Sequence, residues 1–447
     1  PMKKLVVQRE VIDRVIFINN IASWTDDGGG MKMYEISKAS IKNSSFMRNN
    51  ATKGGGVFAS FIKTKLSINT VTFISNAALS KDKTSTSHGG GMYIIEVFKC
   101  SIQNSFFLGN KAFSGGGISA KLGGFKLSIY KVTFTNNVAL VSGGGIWVRR
   151  IPNCSMQKSL FIRNKAQDQG GGAITNTFEQ LYYFNCVFSS NNRHAINIKV
   201  GTVTLIKYCT IKDHTASHGA GLYVETCAVF SIVNSYFLLN NAVVGGGGLC
   251  SKAIDKLMVL KSLFYGNQAY YGAGMYVSNC GLNIIALSSF KKNIAEDKGG
   301  SLLFTMTKKV FKTTVIVSNA IFQDNRAKAN GAVVHTSVIH QISFHLIKIS
   351  STENTFAGTT FVDVHCTKLD LSRVLFKNLI KHVFIVNLNF NLKASIRNTT
   401  FVCQGSTYLN ELSVLNSAGT VVQILYKCET CGGNEYILKS GSWIVYK

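Results

Sequence analysis

Along this chain the hydrophobic positions keep fixed distances from a recurring phenylalanine. The anchors are Phe17, Phe46, Phe73, Phe107, Phe134, Phe161, Phe188, Phe237, Phe264, Phe290 and Phe322, with Ile211 in the same place between Phe188 and Phe237. Most successive anchors lie 26 or 27 residues apart. Five residues before each stands an apolar side chain, such as Ile41, Ile68, Ile102 or Ile129. Two before it stands a compact one, such as Ser44, Val71, Ser105, Cys186 or Cys209. Three after it comes asparagine (Asn20, Asn49, Asn76, Asn110, Asn137, Asn164, Asn191, Asn240, Asn267, Asn293 and Asn325), with His214 as the exception. Alanine stands five after it from Ala22 to Ala327, except at Arg193, and a glycine cluster such as Gly143-Gly144-Gly145 follows.

An in-phase repeat decides the fold class. The anchor and the residue two before it share one face of a strand, because side chains alternate with period two. A unit this short, with this much β-branched content, suits one coil of three short strands joined by tight corners. The expected fold is all-β: a single-stranded right-handed parallel β-helix, a rod-like solenoid of about 14 rungs and roughly 65–70 Å. Stacking coils at about 4.8 Å puts phenylalanine on phenylalanine and lets each asparagine amide bind the next, as in other stacked-sheet ladders. Glycine supplies the positive φ of a sharp corner. A helical or leucine-rich repeat predicts a 3.6-residue period or fixed leucines, and neither occurs.

Composition agrees. Hydrophobic residues make up 46% of 447, so a large core can form, and 41 Gly against 2 Pro favours a glycine turn in every repeat over collagen or proline-rich linkers. No apolar run is long enough to span a membrane as a helix. The numbering begins at Pro1 without a secretory signal, so a processed protein or a piece of a longer one is expected. The net charge of +27 admits a polyanionic partner, but the lysines are scattered along the sequence and not gathered in blocks, as in a solvated Lys-rich surface.

Length variation is concentrated between the alanine and the glycine cluster, as at Leu79 to His88, so insertions should project from one edge. A second insertion lies between Leu302 and Val315. Beyond about residue 335 the columns blur, although Phe376 and Phe401 keep register. The expected division is regular rungs over 1–335, irregular rungs over 336–427 and a further module beginning in 428–447.

The in-phase motifs Phe46-Met47-Arg48-Asn49 with Gly54-Gly55-Gly56-Val57, and Phe161-Ile162-Arg163-Asn164 with Gly170-Gly171-Gly172-Ala173, resemble the FxxN and GGA[ILV] repeats of chlamydial polymorphic outer-membrane proteins. More broadly they resemble the pectin-lyase-like β-helix superfamily. The resemblance covers about residues 10–335, and large surface proteins of ciliates and other protists look similar. Cys428 and Cys431, followed by Tyr436, resemble the opening of the cysteine-rich modules that follow such helices. A zinc half-site is the alternative, but the sequence offers no second pair, and by that resemblance disulfides within such a module are the expectation. The chain ends before further cysteines and shows no autotransporter barrel.

Candidate chemistry is sparse. Hydrolysis of a glycoside needs carboxylates converging on one face, and the adjacent acidic pairs, Asp26-Asp27 and Glu296-Asp297, fall in presumed loops far apart. His214 with His218, and His335, His340 and His345, lack the helix that metal pairing at short spacing requires and read as ordinary surface histidines. Cys186 and Cys209 occupy the same inward column on adjacent rungs, with Cα atoms about 5 Å apart; a disulfide and a stack of two thiols both fit. Sequons stand at Asn43, Asn50, Asn153 and Asn398. No catalytic residue, cofactor or metal is expected.

The functional expectation is a non-catalytic structural or adhesive module of a larger cell-surface or extracellular assembly, a ciliary surface included. The open ends should meet other domains or other copies of the chain. The alternatives are a binder of polyanions (an acidic glycan, or an acidic protein surface such as a microtubule) and a polysaccharide lyase or hydrolase, the latter on fold analogy alone. Lys and Arg aligned along one face would support the polyanion reading. Nucleic acid is not expected.

Overall fold

The computed structural model describes residues 9–22, 26–79, 87–122, 124, 126–306, 313–337, 339–345, 347–350, 362–379, 382–397, 399–403, 407–415, 421–430 and 442–445. The described elements are all β, a parallel β-solenoid of about 12 turns. By internal contacts the chain divides into Pro1–Ala216 with Gly221–Cys227, and Ser217–Ala220 with Ala228–Lys447.

One coil of the first unit shows why the repeat has its length. Gly115, at φ +68°, opens the corner, and Ile118–Lys121 forms the first strand. The chain bends at Leu122, runs through Lys126–Tyr130, bends at Lys131, and enters the anchor strand Thr133–Thr135. A last bend at Asn136 leads to Val138–Ser142 and the next glycine. Each strand pairs in parallel with the same strand of the neighbouring coils, with Phe107 opposite Phe134 and Phe134 opposite Phe161. Gly116 cannot carry a side chain, because a Cβ there would lie 2.5 Å from the Gly144 carbonyl oxygen.

The corners hold a feature that residue types did not disclose. Leu122, Lys131 and Asn136 sit at φ +53°, +52° and +55° although none is glycine, and coil after coil repeats this. A left-handed L-residue costs about 1–2 kcal/mol. Stacking offsets it: the Lys131 N–H donates to the Gln157 carbonyl at 3.0 Å and the Asn136 N–H to the Ile162 carbonyl at 3.1 Å. The conformation therefore comes from the neighbouring coil and not from local preference.

The interior is columnar. Phe46, Phe73, Phe107, Phe134, Phe161 and Phe188 are fully buried, with ring centroids 4.5–5.1 Å apart and planes within 14° from one to the next. Ile68, Ile102, Ile129 and Met156 form a second buried file. The second unit repeats this, with Phe237, Phe264, Phe290 and Phe322 stacked at 4.6–5.2 Å. Late in that unit the pairing turns antiparallel: His382–Arg397 pairs with Val421–Thr430, and Thr399–Cys403 with Ser442–Val445.

Candidate functional site

The asparagine file is a closed hydrogen-bond system. In the first unit the backbone N–H and Nδ2 of Asn110 both donate to Asn137 Oδ1 at 3.0 Å, and those of Asn137 donate to Asn164 Oδ1 at 3.1 and 3.0 Å. The same pair of bonds links Asn20 to Asn49, Asn49 to Asn76, Asn76 to Asn110, and Asn164 to Asn191. The second Nδ2 proton reaches the anchor carbonyl of the preceding coil, as from Asn137 to Phe107 at 2.8 Å. Both lone pairs and both protons of a buried amide are thus used, the condition under which a polar column is tolerated in a core. In the second unit Asn240, Asn267, Asn293 and Asn325 are joined in the same way.

The compact column two before the anchor is also hydrogen-bonded. Ser105 Oγ accepts the Val71 N–H at 3.1 Å and donates to the Gln103 carbonyl at 2.6 Å; Ser159 does the same for Val132 and Gln157. Cys186 and Cys209 stand in this column as thiols. Cys186 Sγ lies 3.6 Å from the Phe184 carbonyl and Cys209 Sγ 3.4 Å from the Lys207 carbonyl, the serine arrangement with sulfur in place of oxygen. Burial, with the hydrogen bond to Cys209 adding to it, holds the Cys186 thiol well above the ordinary thiol range. Burial likewise pushes Cys100 up to about 12. Such groups are poor nucleophiles. Cys428 falls in the strand Val421–Thr430, its Cα opposite Leu409, while Cys431 lies outside the described residues.

Of the sequons, Asn43 is exposed, Asn50 and Asn153 are half-buried, and Asn398 lies outside the described residues. Of the two acidic pairs, Asp26-Asp27 belongs to the first unit and Glu296-Asp297 to the second. Asp27 lies 3.7 Å from Lys53, and Glu296 pairs with Lys328 inside the second unit. Glu296-Asp297 belongs to the strand Ile294–Lys298 and not to a loop. Among the described residues no three His, Cys, Asp or Glu side chains gather as a metal site.

Two histidines correct the surface reading. His214 is fully buried because it occupies the asparagine column, where its Nδ1 faces the Asn191 N–H at 3.1 Å. Desolvation lowers its pKa to about 4. His335 is also buried, with Nδ1 2.9 Å from Asp363 Oδ2. His218 is half-buried and His345 exposed, and the His340 side chain lies outside the described residues.

The feature that linear reading missed is a file of cations. Arg9, Lys38, Lys65, Lys99 and Lys126 stand at one position of successive coils, all exposed: Arg9 is opposite Lys38, Lys38 opposite Lys65, and Lys99 opposite Lys126. Beside them runs Ser40, Ser67, Ser101, Ser128 and Ser155, also in register. Around the adjoining corner lies a shallow cavity of about 540 Å³ lined by Glu35, Phe61, Lys63, Glu96 and Phe98 among others. The signal was present in the sequence as a constant offset of eight residues before the anchor.

Comparison with known proteins agrees with this geometry. Residues 172–361 match the family model described as right handed beta helix region. Residues 131–149, which carry Phe134, Asn137 and Gly143-Gly144-Gly145, match the Chlamydia polymorphic membrane protein repeat. The chain is a right-handed β-helix with repeats of this type. This β-helix is also 26% identical over 172 residues to metabotropic glutamate receptor-like protein R of Dictyostelium discoideum, a match covering 38% of this chain and 11% of that protein. Among solved structures, the Siphovirus 9NA tailspike receptor binding domain aligns over 96% of this chain and 83% of its own, at 10% identity and a TM-score of 0.25, a likeness that carries no argument. Among the described residues no helix is long and apolar enough to cross a membrane.

Proposed function

We propose that this β-helix is a non-catalytic structural or adhesive module of a larger cell-surface or extracellular assembly. The observation that carries the reading is the use of the interior polar groups. The amides, hydroxyls and thiols that recur in phase are engaged in binding coil to coil, so the repeat serves extension and the outward faces are left for contact. Repeats of the polymorphic membrane protein type and a receptor-like relative support placement at a surface. The test is topological. An antibody raised against the chain should label intact cells that produce it, and Asn43 should carry a glycan when the chain passes through a eukaryotic secretory pathway. Label confined to permeabilised cells, with Asn43 bare, would refute the assignment.

A second reading, binding of a polyanion, is favoured by one observation: four lysines dispersed in sequence, Lys38, Lys65, Lys99 and Lys126, are aligned in space. It is compatible with the first, since a surface module needs something to hold.

A further inference from the structure

We infer that the sheet face carrying Lys38, Lys65, Lys99 and Lys126 is a binding track for an extended sulfated glycan. The inference deepens the polyanion reading and rests on it. Five successive strands, Lys38–Lys42, Lys65–Asn69, Lys99–Gln103, Lys126–Tyr130 and Asn153–Gln157, build the face. Each points its first, third and fifth residues outward, as its alternating burial shows. The outward positions therefore form three files: four lysines ending in Asn153, five serines, and the mixed row Lys42, Asn69, Gln103, Tyr130 and Gln157. No carboxylate stands among these fifteen positions, since Glu35 and Glu96 lie round the corner in the neighbouring cavity.

Strand pairing fixes the spacing. The Cα atoms of the file recur at about 4.8 Å, and with Arg9 it spans about 19 Å of backbone; the ammonium groups fan out from these points, that of Lys99 lying over the Phe98 ring. Like charges so close repel one another, and a linear polyanion laid across the strands relieves that repulsion while releasing its own counterions. The file is made of lysine, with arginine only at its start. Arginine forks match planar carboxylates, whereas an ammonium acts as a point charge that accepts any approach. A sulfate, with three oxygens on a tetrahedral centre, can meet two ammoniums on adjacent coils and still accept from the serine file. The serine hydroxyls and the amides of Asn69 and Gln103 supply donors and acceptors for sugar hydroxyls. The Ser155 to Ser128 contact, Oγ to Oγ at 3.3 Å, shows that these hydroxyls lie within reach of one another along the file.

The fold supplies its own conservative replacement, because the next coil carries Asn153 where the others carry lysine. The experiment uses the whole chain, a size-defined heparin octasaccharide as probe and a salt series. The file variant is Lys38→Asn, Lys65→Asn, Lys99→Asn and Lys126→Asn together. The charge-matched control is Lys111→Asn, Lys165→Asn, Lys292→Asn and Lys348→Asn, four exposed lysines on other strands and corners; Lys131 and Lys158 are left intact because their ammonium groups lie over the Tyr130 ring of the track. The file variant should lose affinity on the order of 100-fold, with the log–log salt slope falling by about three; the control should keep most of the affinity. Equal losses in both variants, or no binding by the unaltered chain at physiological salt, would overturn the track. An octagalacturonate that binds as tightly as the heparin fragment would overturn the sulfate assignment. None of these outcomes touches the placement at a cell surface, which the antibody and glycan experiment decides separately.

Discussion

His214 presents its Nδ1 to the Asn191 N–H at 3.1 Å, in the place where Asn191 itself presents Oδ1 to the Asn164 N–H at 2.9 Å. The imidazole can accept there only while Nδ1 is unprotonated. Its pKa is lowered by burial to about 4 from the ordinary 6.5. A depressed value means that the neutral ring belongs to the folded state. Its contribution is complete above pH 6.5 and is lost as pH falls toward 4, a swing of about 3 kcal/mol. His88, lowered to about 4 mainly by burial and then by Lys121 and Lys53, acts with the same sign. Denaturant unfolding at neutral and acid pH should show this loss, and His214→Asn should remove about half of the part that the two histidines contribute. An unchanged acid dependence in the variant would exclude His214 as the source.

The asparagine file predicts a large penalty for a small deletion. Asn137→Ala removes the acceptor of two Asn110 donors, the donor to Asn164 and the donor to the Phe107 carbonyl, all in a buried setting. A loss of about 3–5 kcal/mol follows. Exposed Asn136, one residue away at a left-handed corner, should change to glycine with little effect. Equilibrium unfolding of the two variants checks the contrast.

Serine and cysteine should be interchangeable where the corner needs a small hydrogen-bonding group. Cys186→Ser is expected to alter stability by less than about 1 kcal/mol, because Ser159 makes the same carbonyl contact one coil earlier, while Cys186→Val forfeits it and costs about 1–2 kcal/mol. Thiol titration of the native chain should leave Cys100, Cys154, Cys186 and Cys280 unreactive until unfolding, since all are buried and burial is the leading cause of their raised pKa values.

Neighbouring residues should respond with opposite signs at one bend. Val200 is β-branched at φ +51° and half exposed, so Val200→Gly should stabilise by about 1 kcal/mol. Gly201 lies under the Phe178 ring, where a Cβ would stand 2.0 Å from the ring edge. Gly201→Ala should therefore destabilise, by about 1–3 kcal/mol. Thermal melts of both variants test the pair.

What could be read from the sequence was whatever side chains do to their own kind. Phe stacks on Phe and Asn binds Asn, so those columns declare themselves as identical letters in phase. His214 escaped because one odd letter in a column looks like an exception, although the column dictates its burial and chemistry. The left-handed corners escaped because Glu35, Leu122, Lys131 and Ser190 share no chemical type; backbone bonds from adjacent coils impose their φ. The cation file escaped for another reason. Its members stand 27 to 34 residues apart from Lys38 to Lys126, with the Leu79–His88 insertion stretching one interval, so a search for blocks along the chain finds nothing.

Along the file in each unit the backbone N–H and one Nδ2 proton of an asparagine point to the Oδ1 of the coil that follows, so the amide-to-amide ladder has a head and a tail. Duplicating or deleting a whole coil preserves that sense, whereas a slip of one residue turns its strands inside out. Genes for such proteins can thus lengthen or shorten by recombination between repeats and still encode a folded product. The number of coils becomes a quantity that selection can adjust in steps of one.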